Sequence, residues 1–257
     1  MGNFLTSSSD DSRRELLQLK DNPKYAVVIS DYPKVFYYSN VVIKQHNSVK
    51  TFAGQFEQRQ VTIKRIKTNY AKIVKQETEF LEKFDCHPNI LRFFFKTHDE
   101  TFFYIISEYY ETTLDEYFRE EVYENIPVHR VIKDVAKGVD FLNRLSIMHL
   151  SINPKNVVVA RHQDKFIAKL TSFTFAHKLE KETSLKLNAV PGIEGFQAPE
   201  FLCKKQAYMT SDVYSMGCLF FYLISNGYKM QQVTFPGRRL YSIIWSNGMS
   251  IVLYWQC

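Results

Sequence analysis

Apolar positions along this chain recur first at the spacing of strands and later at the spacing of helices. From Val35 to Ile66, short β-branched and aromatic runs separated by polar turns predict the strands of a small sheet. Ile73, Phe80, Leu81 and Phe84 then recur at helical spacing and predict a helix from about Tyr70 to Phe84, ended by His87-Pro88-Asn89. Glu77 falls on the same inward stripe, where a carboxylate is costly unless a cation meets it. Phe102 to Ser107 predicts a further strand. Val128, Val131, Ile132, Val135, Val139 and Leu142 trace a long amphipathic helix. Val157 to Val159 and Phe166 to Ala168 predict a hairpin around a polar turn. Strands first and helices afterwards make an α+β chain in two lobes. The expected division is a flexible tail over 1–32, a small lobe over 33–108, a larger lobe over 109–235 and an atypical segment over 236–257.

Length and composition narrow the classes. With 257 residues the chain can bury one large core or two modest lobes. The net charge of +6 concentrates between Lys44 and Lys75, where Lys50, Arg59, Lys64, Arg65, Lys67 and Lys72 also stand against the lone acid Glu57. No nucleic-acid motif accompanies that stretch, so it reads as a solvated lobe face. Cys86, Cys203, Cys218 and Cys257 fit no zinc spacing and read as thiols of a reducing compartment. The longest apolar run, Val213 to Ile224, is too short to span a bilayer and reads as a buried helix. The start, Met1-Gly2-Asn3-Phe4-Leu5-Thr6, fits the pattern for myristoylation of Gly2. A single acyl chain gives marginal membrane residence, so the expected location is cytoplasmic, with peripheral contact at a cytoplasmic leaflet.

Several blocks carry more specific information. They are Gly54-Gln55-Phe56 leading into Val61-Thr62-Ile63-Lys64, Cys86-His87-Pro88-Asn89-Ile90-Leu91-Arg92-Phe93, and His149-Leu150-Ser151-Ile152-Asn153-Pro154-Lys155-Asn156. Ser172-Phe173-Thr174, Pro191-Gly192-Ile193-Glu194-Gly195-Phe196, Ala198-Pro199-Glu200 and Asp212-Val213-Tyr214-Ser215-Met216-Gly217 follow in order. In these blocks the chain resembles the protein-kinase superfamily from about Val35 to Ile224. Within it, the chain is similar to the kinase domains of the inositol-requiring unfolded-protein-response sensors and ribonuclease L. The resemblance implies a two-lobed kinase-like fold. The short stretch after Ile224 implies a large lobe truncated at its C-terminal end, without the helices whose Arg normally pairs with Glu200.

The same resemblance implies a damaged active site. Ser151 stands where the catalytic Asp belongs and cannot accept a substrate proton at neutral pH, a loss of roughly 10²–10⁴-fold. Leu150 replaces the Arg that docks a phosphorylated activation loop, and Asn153 replaces the Lys that neutralises the transferring phosphoryl group. Ser172 replaces the metal-binding Asp and leaves Asn156 without a carboxylate beside it. The three glycine positions of the phosphate-covering loop hold Ile43, Gln45 and Ser48.

Lys64 and Glu77 match the lysine and helix carboxylate that hold ATP phosphates. They read either as a relic of that role or as a structural ion pair. The hinge is expected at Glu108-Tyr109-Tyr110, with Ser107 at the gatekeeper position. No cofactor or metal site is expected, and any ATP binding is weak and metal-independent.

The expected function is a catalytically inactive, regulatory or interaction module whose partner is a protein, either itself or a full-length relative. Two other readings stay open: a residual ATP-binding serine/threonine kinase, and a non-functional truncated copy. Relatives pair through their small lobes by an Asp just before H-P-N and an Arg just after it. Asp85 and Arg92 occupy those places.

Overall fold

The computed structural model describes residues 25–29, 32–46, 49–120, 126–162, 165–180 and 182–226, with the backbone of three later strands within 231–253. Gly2 and the rest of the first 24 residues lie outside the described part.

The strands expected from Val35 to Ile66 and from Phe102 to Ser107 form, and two more that the pattern did not announce join them in a six-stranded antiparallel sheet. Its strands are β1 (Ala26–Ile29), β2 (Tyr32–His46), β3 (Val49–Phe56), β4 (Arg59–Lys67), β5 (Phe93–His98) and β6 (Phe102–Glu108), in the spatial order β1-β2-β3-β4-β6-β5. Because β1 pairs with β2 through Ala26↔Tyr38, the sheet begins before residue 33, and the expected tail boundary moves toward the N-terminus. Gly54 is required by the closeness of its neighbours. A Cβ there would lie 2.6 Å from both Ile63 Cδ1 and the Phe36 carbonyl oxygen.

Helix α1 (Ala71–Phe84) packs under this sheet through Val74, Glu77, Thr78 and Leu81. Ile73, expected on the inward stripe, is instead 39% exposed and faces a cleft. The larger lobe follows with β7 (Thr112–Thr113), α2 (Leu114–Glu120), α3 (Val128–Arg144), β8 (Ile147–Met148), β9 (Val157–His162) and β10 (Lys165–Leu170). The hairpin β9–β10 has the expected antiparallel pairing, Val157↔Leu170 to His162↔Lys165. Val131, Val135, Val139 and Leu142 of α3 are buried, and Gly138 lets the helix approach Leu170 and the Asn89 carbonyl closely.

The His87-Pro88-Asn89 segment joins the lobes. Asn89 Nδ2 donates to the Ala168 carbonyl at 3.0 Å, its own carbonyl accepts from Leu170 N–H at 2.9 Å, and the His87 ring stacks on Phe141 at 4.7 Å. The chain then runs through β11 (His177–Lys178), β12 (Leu185–Lys186), α4 (Pro199–Cys203), β13 (Gln206–Ala207) and α5 (Met209–Ile224). After α5 come β14 (Gln231–Phe235), β15 (Arg238–Ile244) and β16 (Ser250–Leu253), an antiparallel sheet rather than further helices. The expected boundary after residue 235 falls between β14 and β15, which pair through Phe235↔Arg238.

The basic stretch is only partly a solvated face. The Arg65 guanidinium lies over Phe102 at 4.4 Å and Phe52 at 5.0 Å, and donates to Tyr37 Oη at 2.9 Å. Lys44 and Lys64 point into the cleft between the lobes. Among the described residues Cys86 is exposed, and Cys218 is buried in α5, with no disulfide to either.

Candidate nucleotide cleft

A cleft of about 390 Å³ lies between the sheet and the larger lobe. It is lined by Lys64, Glu77, Tyr110, Ser151, Asn153, Asn156 and Ser172, so one cavity gathers most of the residues singled out from the sequence.

Lys64 and Glu77 meet across the gap between β4 and α1. Lys64 Nζ donates to both Glu77 carboxylate oxygens at 2.8 Å. Glu77 is 2% exposed, and Thr174 Oγ1 also donates to it at 3.3 Å. The cation expected for the inward carboxylate is therefore Lys64, helped by a hydroxyl from the segment after Ser172.

The catalytic-loop segment is held from below by α5. Asp212, fully buried, accepts from His149 N–H at 2.5 Å and Leu150 N–H at 2.8 Å. Burial pushes its carboxyl up to about 6, against the pull of those two bonds. The bonds fix Leu150 at φ 61°, in the left-handed region that a side chain rarely enters unaided. His149 is fully buried, donates from Nε2 to the Thr171 carbonyl at 3.1 Å and accepts Ser151 N–H at Nδ1. Burial lowers its pKa to about 4, so the ring is neutral near pH 7.

Polar groups at the base of the cleft are spent on one another. Asn156 Nδ2 donates to Ser151 Oγ and to the Ser151 carbonyl, both at 2.9 Å. Asn153 Nδ2 donates to the same carbonyl at 2.8 Å, while its Oδ1 accepts Lys155 N–H at 3.0 Å. Ser172 sits at φ 64° and leads Phe173 into the core, where its ring stacks on Phe80 at 4.5 Å and meets His149 at 4.8 Å.

At the hinge, expected over Glu108-Tyr109-Tyr110, Tyr110 N–H donates to Thr62 Oγ1 at 3.3 Å. Thr62 is the side chain within Val61-Thr62-Ile63-Lys64 at the place where the kinase pattern has Ala, so the competing hydroxyl was visible in the sequence but its partner was not. The Tyr110 ring is buried with Leu91, Val158 and Ala160, and Ile43 packs on this cluster from the glycine-loop position. Burial, followed by the nearby Glu116, raises the Tyr110 phenol well above its usual range. Glu108 does not line the cleft; its carboxylate accepts from Lys169 Nζ at 2.7 Å and from Arg92 N–H at 2.8 Å.

Two groups were missed by sequence reasoning. Lys44 Nζ donates to the Lys155 carbonyl at 2.5 Å across the cleft. Ser211 Oγ donates to the Glu200 carboxylate, the place taken in kinases by an Arg of later helices. Alternation along β2 is the signal that bears on Lys44, but only the strand register shows which face it takes.

Asp85 and Arg92 lie away from the cleft, on either side of the His87-Pro88-Asn89 turn. Asp85 Oδ2 accepts Phe93 N–H at 3.0 Å, and the exposed Arg92 lies 5.8 Å from the Phe94 ring. Phe93 is buried, while Phe94 and Phe95 are partly buried against the sheet.

No helix among the described residues is long and apolar enough to cross a membrane.

Comparison with known proteins agrees with this geometry. The chain is 26% identical over 185 residues to the serine/threonine-protein kinase/endoribonuclease ire-1 of Caenorhabditis elegans, covering 68% of this chain and 19% of that protein. It is 31% identical over 190 residues to the serine/threonine-protein kinase/endoribonuclease IRE2 of Homo sapiens, covering 68% of this chain and 20% of the relative. The sensor for unfolded proteins in the ER ire1 of Schizosaccharomyces pombe is 23% identical over 228 residues, covering 76% of this chain and 21% of its own length. The chain thus spans about a fifth of the length of these relatives. The model of the protein kinase domain matches residues 41–239, nearly the whole of both lobes, and the chain belongs to the protein kinase domain family.

Proposed function

We propose that this kinase domain is catalytically inactive and acts as a regulatory or interaction module. The observation that carries the reading is the fate of the carboxylates. Of the described residues lining the cleft only Glu77 is acidic, and it is committed to Lys64 and Thr174. Phosphoryl transfer in protein kinases needs a carboxylate to receive the substrate proton and another to hold Mg²⁺ against the phosphates. Ser151 and Ser172 supply neither, and the Asn156 amide is turned onto Ser151. These residues do not fit a magnesium–nucleotide complex.

The frame around this cleft supports a module that still folds and docks. The Lys64–Glu77 pair, the Phe173 stack and the Asp212 anchor are all in place. Natural occupants of the docking surface are a second copy of this chain or a longer relative, meeting at the small-lobe face that carries Asp85 and Arg92. The test is incubation of the purified chain with radiolabelled ATP and Mg²⁺ or Mn²⁺. We expect no incorporation into itself or into generic protein substrates. Incorporation that disappears in Lys64→Ala would overturn the reading, and Ser151→Asp alone should restore nothing.

A further inference from the structure

The register of the small-lobe sheet places a second lysine beside Lys64. Lys44 pairs with Thr51, and Thr51 pairs with Lys64, so the three residues lie in a row across β2, β3 and β4. Residues opposite one another in a ladder project from the same face of a sheet. All three line the cleft, joined there by Lys155. Lys44 lies half-buried with its ammonium turned inward, and its hydrogen-bond acceptor is a backbone carbonyl, that of Lys155. The ammonium is therefore desolvated with Glu116, Asp115 and Glu77 near it but no carboxylate in the hydrogen bond it makes, a costly arrangement that a bound anion would relieve. Ser151 and Ser172, in the places of the catalytic and the metal-binding carboxylate, add hydroxyls and remove the negative charge that would repel such an anion.

We propose that the cleft is a metal-free site for a phosphate chain, held between the Lys44 and Lys64 ammonium groups. Lys44 takes over the charge neutralisation that a divalent cation performs in an active kinase. The chain is free polyphosphate rather than a nucleotide's tail, because Tyr110, Ile43 and Val158 pack together where a purine would lie and Thr62 holds the Tyr110 N–H. This rests on the proposed loss of metal-binding carboxylates but not on the absence of phosphoryl transfer, so a binding assay and a transfer assay fail independently.

Lys44 also predicts the pH dependence. Burial and then the neighbouring Lys64 lower its pKa to about 8, while Glu116, Asp115 and Glu77 oppose that shift. The anion binds the protonated lysine, so affinity should weaken as pH rises above about 8, by up to roughly tenfold per unit.

The test is calorimetric titration of the purified full chain with sodium tripolyphosphate and with ATP, each with EDTA and with excess Mg²⁺. We expect saturable tripolyphosphate binding in EDTA, no strengthening by Mg²⁺, and a loss of roughly 10- to 100-fold in Lys44→Met, the range of one charge-assisted hydrogen bond. ATP within tenfold of tripolyphosphate identifies the free chain as the source. ATP more than tenfold tighter, still in EDTA, overturns that source and leaves a metal-free nucleotide site. No saturable binding in EDTA, or binding that appears only with Mg²⁺, overturns the proposal. So does unchanged affinity in Lys44→Met. Should Lys44→Met fail to fold, the wild-type titration between pH 7 and 9.5 decides: a flat profile overturns the role of Lys44.

Discussion

Phe173 stacks on Phe80 with ring centroids 4.5 Å apart and planes within 13°, joining the segment after the catalytic loop to helix α1. Phe84 extends the stack along the helix at 4.9 Å, and His149 continues it into the larger lobe at 4.8 Å. The column crosses the lobes, so its loss should be felt as global stability. Phe173 is fully buried, and Phe173→Ala should cost about 3–5 kcal/mol. Urea unfolding measures this, and a cost below about 1 kcal/mol would mean that the stack is incidental.

Ser211 and Glu200 make a second, shorter bridge. Ser211 Oγ donates to the carboxylate and also accepts Tyr208 N–H at 3.0 Å at the start of α5. Ser211→Ala removes both bonds and leaves Glu200 poorly satisfied. The expected loss is about 1–3 kcal/mol, and Glu200→Gln, which can still accept from Ser211, should cost less. Equal losses for the two variants would show that Glu200 is held by something else.

Leu150 fills the space that an Arg occupies in regulated kinases. It is 2% exposed and packs with Met148, Leu179, Leu187, Ala198 and Phe201, so apolar contacts hold the following segment down. Leu150→Arg should bury an unpaired charge, lower Tm sharply and speed hydrogen exchange over residues 182–198. Restored slow exchange after an acidic substitution at Leu187 would argue that this pocket still accepts charge.

Stability should depend on pH through Lys44. Burial holds its folded pKa at about 8, below the ordinary lysine value of 10.5. Below pH 8 both states hold the proton and the burial cost is fully present. Between about 8 and 10.5 the folded state releases it first, so this contribution to stability rises with pH. Lys44→Met should raise Tm at pH 7 by a few degrees and flatten that alkaline rise, as read by thermal melts across pH 7–10.

Self-association can be tested at Arg92. Asp85 already accepts Phe93 N–H, so changing it would disturb the turn as well as any interface. Arg92→Glu is the cleaner substitution, since that guanidinium is exposed. Sedimentation should show a weaker dimer than wild type. Unchanged association would exclude docking through this pair.

Local pattern determined the elements and much of the frame. Apolar runs set β2 to β4 and β6, the 3.6-residue spacing set α1 and α3, and Glu77 on an inward stripe demanded the cation that Lys64 provides. Strand β5 (Phe93–His98) carries no alternation to announce it. The serines at 151 and 172 were legible as missing carboxylates because the surrounding blocks fixed their places. Tertiary structure alone decided which polar groups answer one another. Lys44 reads in the sequence as part of a basic surface, yet strand register turns it into the cleft beside Lys64. Thr62 takes the hinge N–H of Tyr110, Ser211 takes Glu200, and Asn153 and Asn156 close on Ser151. A short side chain reaches only a few ångströms, so its partner depends on which distant backbone the fold brings alongside. Periodicity records which face a residue takes; it carries no record of what stands opposite.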